Sequence, residues 1–221
     1  MNPNFYKKTL YPLQDKVLKQ INQLETGFYL TGGTAASRAY LQHRYSDDLD
    51  FFVNDAPDFT LWSERVIHAL STTKNWQLEI HSRYERFVRL HLIQAETTLK
   101  LEFINDVPSR VGEISVHPLL GRLDSAKNIL ANKLTALLSR EEPKDLADIW
   151  GFSTKLNLSL KEAITGAQGK AAGIFPADLS RVLLSASQED FKLIRWIEAP
   201  STQEFIQDLH QLGESLILLD K

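Results

Sequence analysis

The chain has no cysteine in its 221 residues. That absence excludes disulfides, thiolate metal sites and cysteine nucleophiles, and nothing in the sequence calls for an oxidising compartment. No apolar run approaches the length of a membrane span. The opening Met1-Asn2-Pro3-Asn4-Phe5-Tyr6-Lys7-Lys8 is not followed by an apolar core of signal-peptide length. A soluble cytoplasmic protein with no membrane partner is the expectation. Excess positive charge is missing too: a net charge of −3 and a pI near 6.1 exclude a generally basic, nucleic-acid-coating protein, while leaving room for a local basic groove. The histidines are scattered, with no helical pair spaced for zinc. Internal repeats and low-complexity tracts are absent. Apolar residues make up 43% of the chain, enough for one full domain or two small ones with a real core.

Periodicity divides the chain into two parts. Leu13, Val17, Ile21 and Leu24 recur at helical spacing between Leu10 and Leu24, and Gly27 closes that segment. Asp58 to Leu70 reads as a second helix, with Phe59, Trp62, Val66, Ile67 and Leu70 on its buried side. Trp76 to His81, Phe87 to Ile93 and Thr97 to Ile104 are β-rich. In the last, Leu99, Leu101 and Phe103 share one face while Lys100, Glu102 and Ile104 share the other. From Leu123 onward the patterning is helical, interrupted at Pro143, Gly151, the Gly169 to Gly173 loop and Pro200. The stretch Asp106 to Arg122, with Pro108, Gly112, Pro118 and Gly121, reads as the boundary. The expected fold class is α+β: a mixed sheet with flanking helices over residues 1–115, then a helical part over 116–221.

One pair of segments carries the chemistry. Phe28 to Thr31 is apolar and β-prone, Gly32 and Gly33 break it, and Thr34-Ala35-Ala36-Ser37-Arg38-Ala39-Tyr40-Leu41 resumes with good helix formers. Backbone N–H groups at such a helix start are unpaired and sit at the positive end of the helix dipole, so they attract phosphate, and glycine permits close approach. Shortly afterwards, Asp48-Leu49-Asp50-Phe51-Phe52-Val53 alternates with the period of a strand. Asp48 and Asp50 fall on one face, roughly 7 Å apart at their Cα atoms, and Leu49, Phe51 and Val53 fall on the other. Such a carboxylate pair suits Mg²⁺, a hard cation that keeps several waters and bridges to substrate phosphates. A glycine turn alone is usually only a turn, and an Asp-x-Asp alone is usually a solvated strand start. In this order and at this spacing they point to a nucleotide site.

The run from Gly32-Gly33-Thr34-Ala35 through His43-Arg44-Tyr45-Ser46 to Asp48-Leu49-Asp50 resembles the signature of the AbiEii/AbiGii nucleotidyltransferase toxin family, within the DNA polymerase β-like nucleotidyltransferase superfamily. The resemblance spans roughly Tyr29 to Trp150. It implies transfer of an NMP from an NTP to an acceptor hydroxyl, dependent on one or two Mg²⁺ ions. It also implies a toxin of a toxin–antitoxin or phage-defence pair, with RNA such as tRNA as acceptor and a cognate antitoxin as partner. On this reading Glu102, on the polar face of its strand, joins Asp48 and Asp50 as the third metal-binding carboxylate. Otherwise it is an exposed strand glutamate. Lys133 lies along the buried stripe Ile129, Leu130, Leu134 and Leu137 of a helix over Asp124 to Arg140, and so must either snorkel or meet an anion. With Arg140 and Lys144-Asp145-Leu146-Ala147-Asp148 it resembles the family's downstream lysine and Lys/Arg-Asp-x-x-Asp motif. That implies a role for Lys133 on the triphosphate and for Asp145 in supporting Lys133 or the acceptor side. Alternatively, Asp145 and Asp148 are first-turn helix-dipole stabilisers.

Thr34 and Ser37 offer hydroxyls to phosphate, and Arg44 and Ser46 either contact the nucleotide or order the loop before the acidic strand. Arg83, Arg86 and Arg89 with Tyr84, Phe87 and His91 form a basic and aromatic patch that either meets RNA or, alternating on strand faces, divides between solvent and core. Two rival functions remain: a small-molecule nucleotidyltransferase of the aminoglycoside-modifying kind, and a nucleotide-binding module without catalysis. The joint presence of Asp48, Asp50, Glu102 and Lys133 weighs against the second.

Overall fold

The computed structural model describes residues 3–217 and divides into two compact units. The first takes the chain up to Ala35, Ser46–Pro108 and Glu113–Asp124. The second takes Ala36–Tyr45, Ser109–Gly112 and the chain from Ser125 onward. This differs from a single cut near residue 115, because the stretch after Gly112 supplies two more strands to the first unit's sheet and the segment around His43 belongs with the helices. No described helix is long and apolar enough to cross a membrane.

The first unit is built on one seven-stranded sheet. Its strands are β1 (Tyr29–Thr31), β2 (Leu49–Asn54), β3 (Gln77–Tyr84), β4 (Phe87–Gln94), β5 (Thr97–Asp106), β6 (Ser115–His117) and β7 (Gly121–Leu123), in the order β3-β4-β5-β2-β1-β7-β6. β2 runs parallel to β5 and β1 parallel to β7, and the remaining neighbours are antiparallel. The strict alternation of β2 and β5 buries Leu49, Phe51 and Val53 with Leu99, Leu101 and Phe103. Phe51 stacks on Phe103 at 5.1 Å, and Phe28 meets Phe103 edge-on at 5.0 Å, contacts that add roughly 0.5–1.5 kcal/mol each beyond area burial. Helices Tyr11–Ile21 and Phe59–Ser71 bury their apolar stripes in this unit. β6 and β7 were not expected, since three-residue strands with an exposed Val116 carry no readable alternation. At the other border, β3 pairs only with β4 among the described residues, and a register irregularity lies between Ile80 and Ser82.

The second unit is helical: Ala126–Arg140, Pro143–Thr154, Leu160–Gln168, Pro176–Leu184, Gln188–Leu193 and Thr202–Ile217. Serine caps start three of these helices, with Ser125, Ser159 and Ser187 accepting from the backbone N–H three residues on, and Pro143 and Pro176 sit at first-turn positions where no N–H is needed. Gly151 does not interrupt its helix. It lies inside Pro143–Thr154, where a Cβ would come within 2.8 Å of Leu41 Cδ1. Trp150, Phe191, Trp196 and Phe205 form an aromatic core, and Trp150 Nε1 donates to Asp208.

Beside that core lies a set of buried charges. Asp148, fully buried, accepts Arg44 Nε at 2.7 Å and Nη2 at 2.6 Å on its two oxygens, His43 Nε2 at 2.9 Å and Lys133 Nζ at 2.7 Å. Asp145 takes Lys133 at 2.8 Å and Arg140 at 2.8 Å. Burial alone would raise both carboxyl pKa values. Arg44 and Lys133 nonetheless hold Asp148 well below the usual range, and Lys133 and Arg140 hold Asp145 below it. Burial likewise opposes the charge on Lys133, yet Asp148 and Asp145 raise its pKa, whereas burial lowers that of His43 and keeps it neutral.

Both aspartates, with depressed folded pKa values, contribute stability that is present above about pH 3.8 and lost as pH falls through the folded values. Neutral His43 adds a loss that begins below pH 6.5, because the unfolded chain takes up that proton first. Lys133, with a raised folded pKa, contributes stability below pH 10.5 that is lost as pH rises through its folded value. The melting temperature is therefore expected to be highest between pH 6.5 and 10.5 and to drop first on the acid side, as a calorimetric series would show. Asp148→Asn removes the buried carboxylate that both Arg44 and Lys133 contact and leaves Lys133 only its Asp145 ion pair, and is expected to cost about 3–5 kcal/mol in urea unfolding at neutral pH.

Candidate functional site

The glycine turn and the acidic strand meet within the first unit. Gly32 has a left-handed φ of +66°, and a Cβ there would overlap the Asp50 carboxylate, so only glycine lets the turn close against that aspartate. Thr34 is buried and spends its hydroxyl on the carbonyl of Asp48, so its oxygen ties the helix start to the acidic strand. The short helix Gly32–Ala35 then continues as a π-helical stretch, Ala36–Leu41, where the chain passes into the second unit.

The parallel register of β2 and β5 sets Asp50 directly opposite Glu102. Both project from the face opposite Leu49, Phe51, Leu101 and Phe103, and Asp48 stands two residues before Asp50 on the same face. Asp48, Asp50 and Glu102 are thus gathered on one polar face with the Gly32 turn. Two cations join them. Lys100, two residues before Glu102 on β5, lies 3.0 Å from Asp48 Oδ2 and 3.5 Å from Glu102 Oε1. Arg89 of β4, the register partner of Glu102, places Nε at 2.7 Å and Nη2 at 2.6 Å from the same Oε1. Partial burial would lower the Lys100 pKa, but Asp48 foremost, then Glu102 and Asp50, raise it.

The donor chemistry fits a hard, oxygen-seeking cation. As the side chains stand, no three His, Asp or Glu residues converge on one point among the described residues, and Lys100 and Arg89 pair with Asp48 and Glu102. All three cation contacts to Glu102 fall on Oε1, which leaves Oε2 for an ion.

The remaining candidates divide by unit. Ser46, nearly buried in the first, is held through its backbone, its carbonyl accepting from Gln14 and its N–H donating to Tyr11 Oη. Ser37, Arg44, Lys133 and Asp145 are in the second. Ser37 donates to the carbonyl of Arg44, whose guanidinium forks onto Asp148 and also donates to the Tyr45 carbonyl. Lys133 meets anions, Asp145 and Asp148, and does not snorkel. Asp148 lies beyond the first turn of its helix, where a dipole role has faded, and its four contacts, from His43, Arg44 and Lys133, make it the centre of the set. The arginine patch resolves into ion pairs: Arg83 with Glu64, Arg86 with Asp55 and Arg89 with Glu102. Sequence reasoning missed Lys100 and Arg89 as members of the acidic site. The signal for Lys100 was its place on the same strand face as Glu102, whereas pairing Arg89 with Glu102 required the β4–β5 register.

The family model for the AbiEii nucleotidyl transferase toxins of type IV toxin–antitoxin systems matches residues 16–211. A comparison with curated protein sequences finds no match. Among solved structures, JHP933 from Helicobacter pylori is similar at a TM-score of 0.64 and 20% identity, over 95% of this chain and 92% of that one. MenT4, a nucleotidyltransferase toxin from Mycobacterium tuberculosis H37Rv, is similar at a TM-score of 0.62 and 16% identity, over 94% and 82% respectively. At these identities the likeness is one of fold. The family match runs through both units, so the chain belongs to the AbiEii nucleotidyl transferase toxin family and is a nucleotidyltransferase.

Proposed function

We propose that the protein moves an NMP from an NTP to a hydroxyl of an RNA such as tRNA, with Mg²⁺ as cofactor, as the growth-arresting member of a toxin–antitoxin or phage-defence pair acting in the cytoplasm beside a cognate antitoxin. The observation that carries the reading is the Gly32 turn closed against Asp50, with Asp50 in register with Glu102. In this assignment Asp48, Asp50 and Glu102 hold the ion, and Gly32, Gly33 and Thr34 cradle the triphosphate with backbone N–H groups. Bound there, Mg²⁺ would supply charge neutralisation of the triphosphate and a lowered pKa for the acceptor hydroxyl. Ser37, Arg44 and Ser46 act by positioning, through the contacts that order the segment before the acidic strand. Lys133 and Asp145 are assigned to the triphosphate and the acceptor side on their resemblance to the family's lysine and Lys/Arg-Asp-x-x-Asp motif.

Incubating the purified chain with each α-³²P NTP, Mg²⁺ and total tRNA is expected to label RNA with at least one nucleotide, and Asp50→Ala is expected to lower labelling by about 10³-fold or more. Absence of label with every NTP would overturn the tRNA assignment and direct the search to small-molecule acceptors. Gly32→Ala, strained at φ +66° and colliding with Asp50, is expected to cost about 10²-fold in the same assay through misplacement of that carboxylate.

A further inference from the structure

The acidic face carries its own counter-charges at fixed strand positions. Lys100 and Glu102 are alternate residues of β5, and the β4–β5 ladder sets His91 opposite Lys100 and Arg89 opposite Glu102. Both cations are partly buried, Lys100 reaching two different carboxylates and Arg89 giving two nitrogens to one oxygen. An exposed salt bridge forms between whichever flexible side chains happen to meet. Here the ladder itself aims the cations at the acids, and their two positive charges equal that of one divalent ion.

We propose that Lys100 and Arg89 stand in for one of the two divalent ions that a three-carboxylate nucleotidyltransferase site would otherwise hold, so that this site loads a single ion. The inference rests on the functional reading given above. The single ion would be held by Asp48, Asp50 and Glu102, and Lys100 contacts Asp48 and Glu102, so a second ion would compete with it for the same carboxylates. Three carboxylates with two divalent ions carry the same net charge as three carboxylates with one divalent ion, a lysine and an arginine. The triphosphate therefore meets equal positive charge with one ion fewer. Loading requires the Lys100 ammonium to give up part of its hold on Asp48, a modest movement for a flexible side chain that is about one-third exposed.

Mn²⁺ reports ion number directly, because two ions about 3.5–4 Å apart couple magnetically and an isolated ion does not. The full chain with Mn²⁺ and the α,β-methylene analogue of each NTP in turn is expected to bind one Mn²⁺ per chain and to give the six-line spectrum of an isolated ion. The double variant Lys100→Met with Arg89→Gln is expected to bind two and to show a coupled pair, and Lys100→Arg to keep one. A coupled pair in the unmodified protein, or a stoichiometry unchanged in the double variant with its circular dichroism intact, would overturn the inference while labelling of RNA leaves the functional reading standing. No Mn²⁺ bound, together with no transfer under any metal, would overturn both.

Discussion

The parallel pairing of β2 with β5 is the constraint on which the acidic site depends. A period of two cannot put Asp50 and Glu102 on a polar face without putting Phe51 and Phe103 on the buried one, and those two rings stack at 5.1 Å. Core and site are two readings of one register. A slip of either strand by one residue would bury its own acid and expose its own phenylalanine, so hydrophobic burial enforces the alignment of the carboxylates at no separate cost in specificity. The same register aims Lys100 and Arg89, which are as much products of the ladder as the acids are.

The second unit solves a different problem. Arg44, Lys133, Asp145 and Asp148 are all nearly or fully removed from water, and ionised groups there survive only if each finds opposite charge and satisfied donors. Asp148 meets that requirement with three partner residues and Asp145 with two, so the unit gathers sequence-distant segments around residues 44, 133 and 148 by electrostatic necessity. Replacing such a network by apolar residues is often neutral for stability.

The sequence made the acidic strand, the glycine turn and the helical second part readable because each rests on local periodicity. Leu49, Phe51 and Val53 alternate over six residues, and the Lys133 stripe recurs at three and four. The family, too, was legible from Gly32-Gly33-Thr34 and Asp48-Leu49-Asp50. What stayed hidden was set by pairing. Nothing near Arg89 marks Glu102 as its partner, and nothing near Arg44 marks Asp148, more than one hundred residues away. β6 and β7 were invisible because three residues are too few for a pattern. Gly151 read as a break because composition cannot distinguish a glycine that ends a helix from one that lets Leu41 approach it.

The borders of the sheet have a consequence for how this protein can associate. β3 is eight residues long and exposes Ile80 and Tyr84, a combination that invites another chain to add a strand. The irregularity between Ile80 and Ser82 breaks the run of evenly spaced backbone donors and acceptors that such an addition needs, and the opposite border, β6, ends after three residues. Both borders are therefore poor templates for aggregation, and a partner that settles on either has to be recognised through side chains such as Tyr84 or Val116 rather than through a continuous backbone ladder.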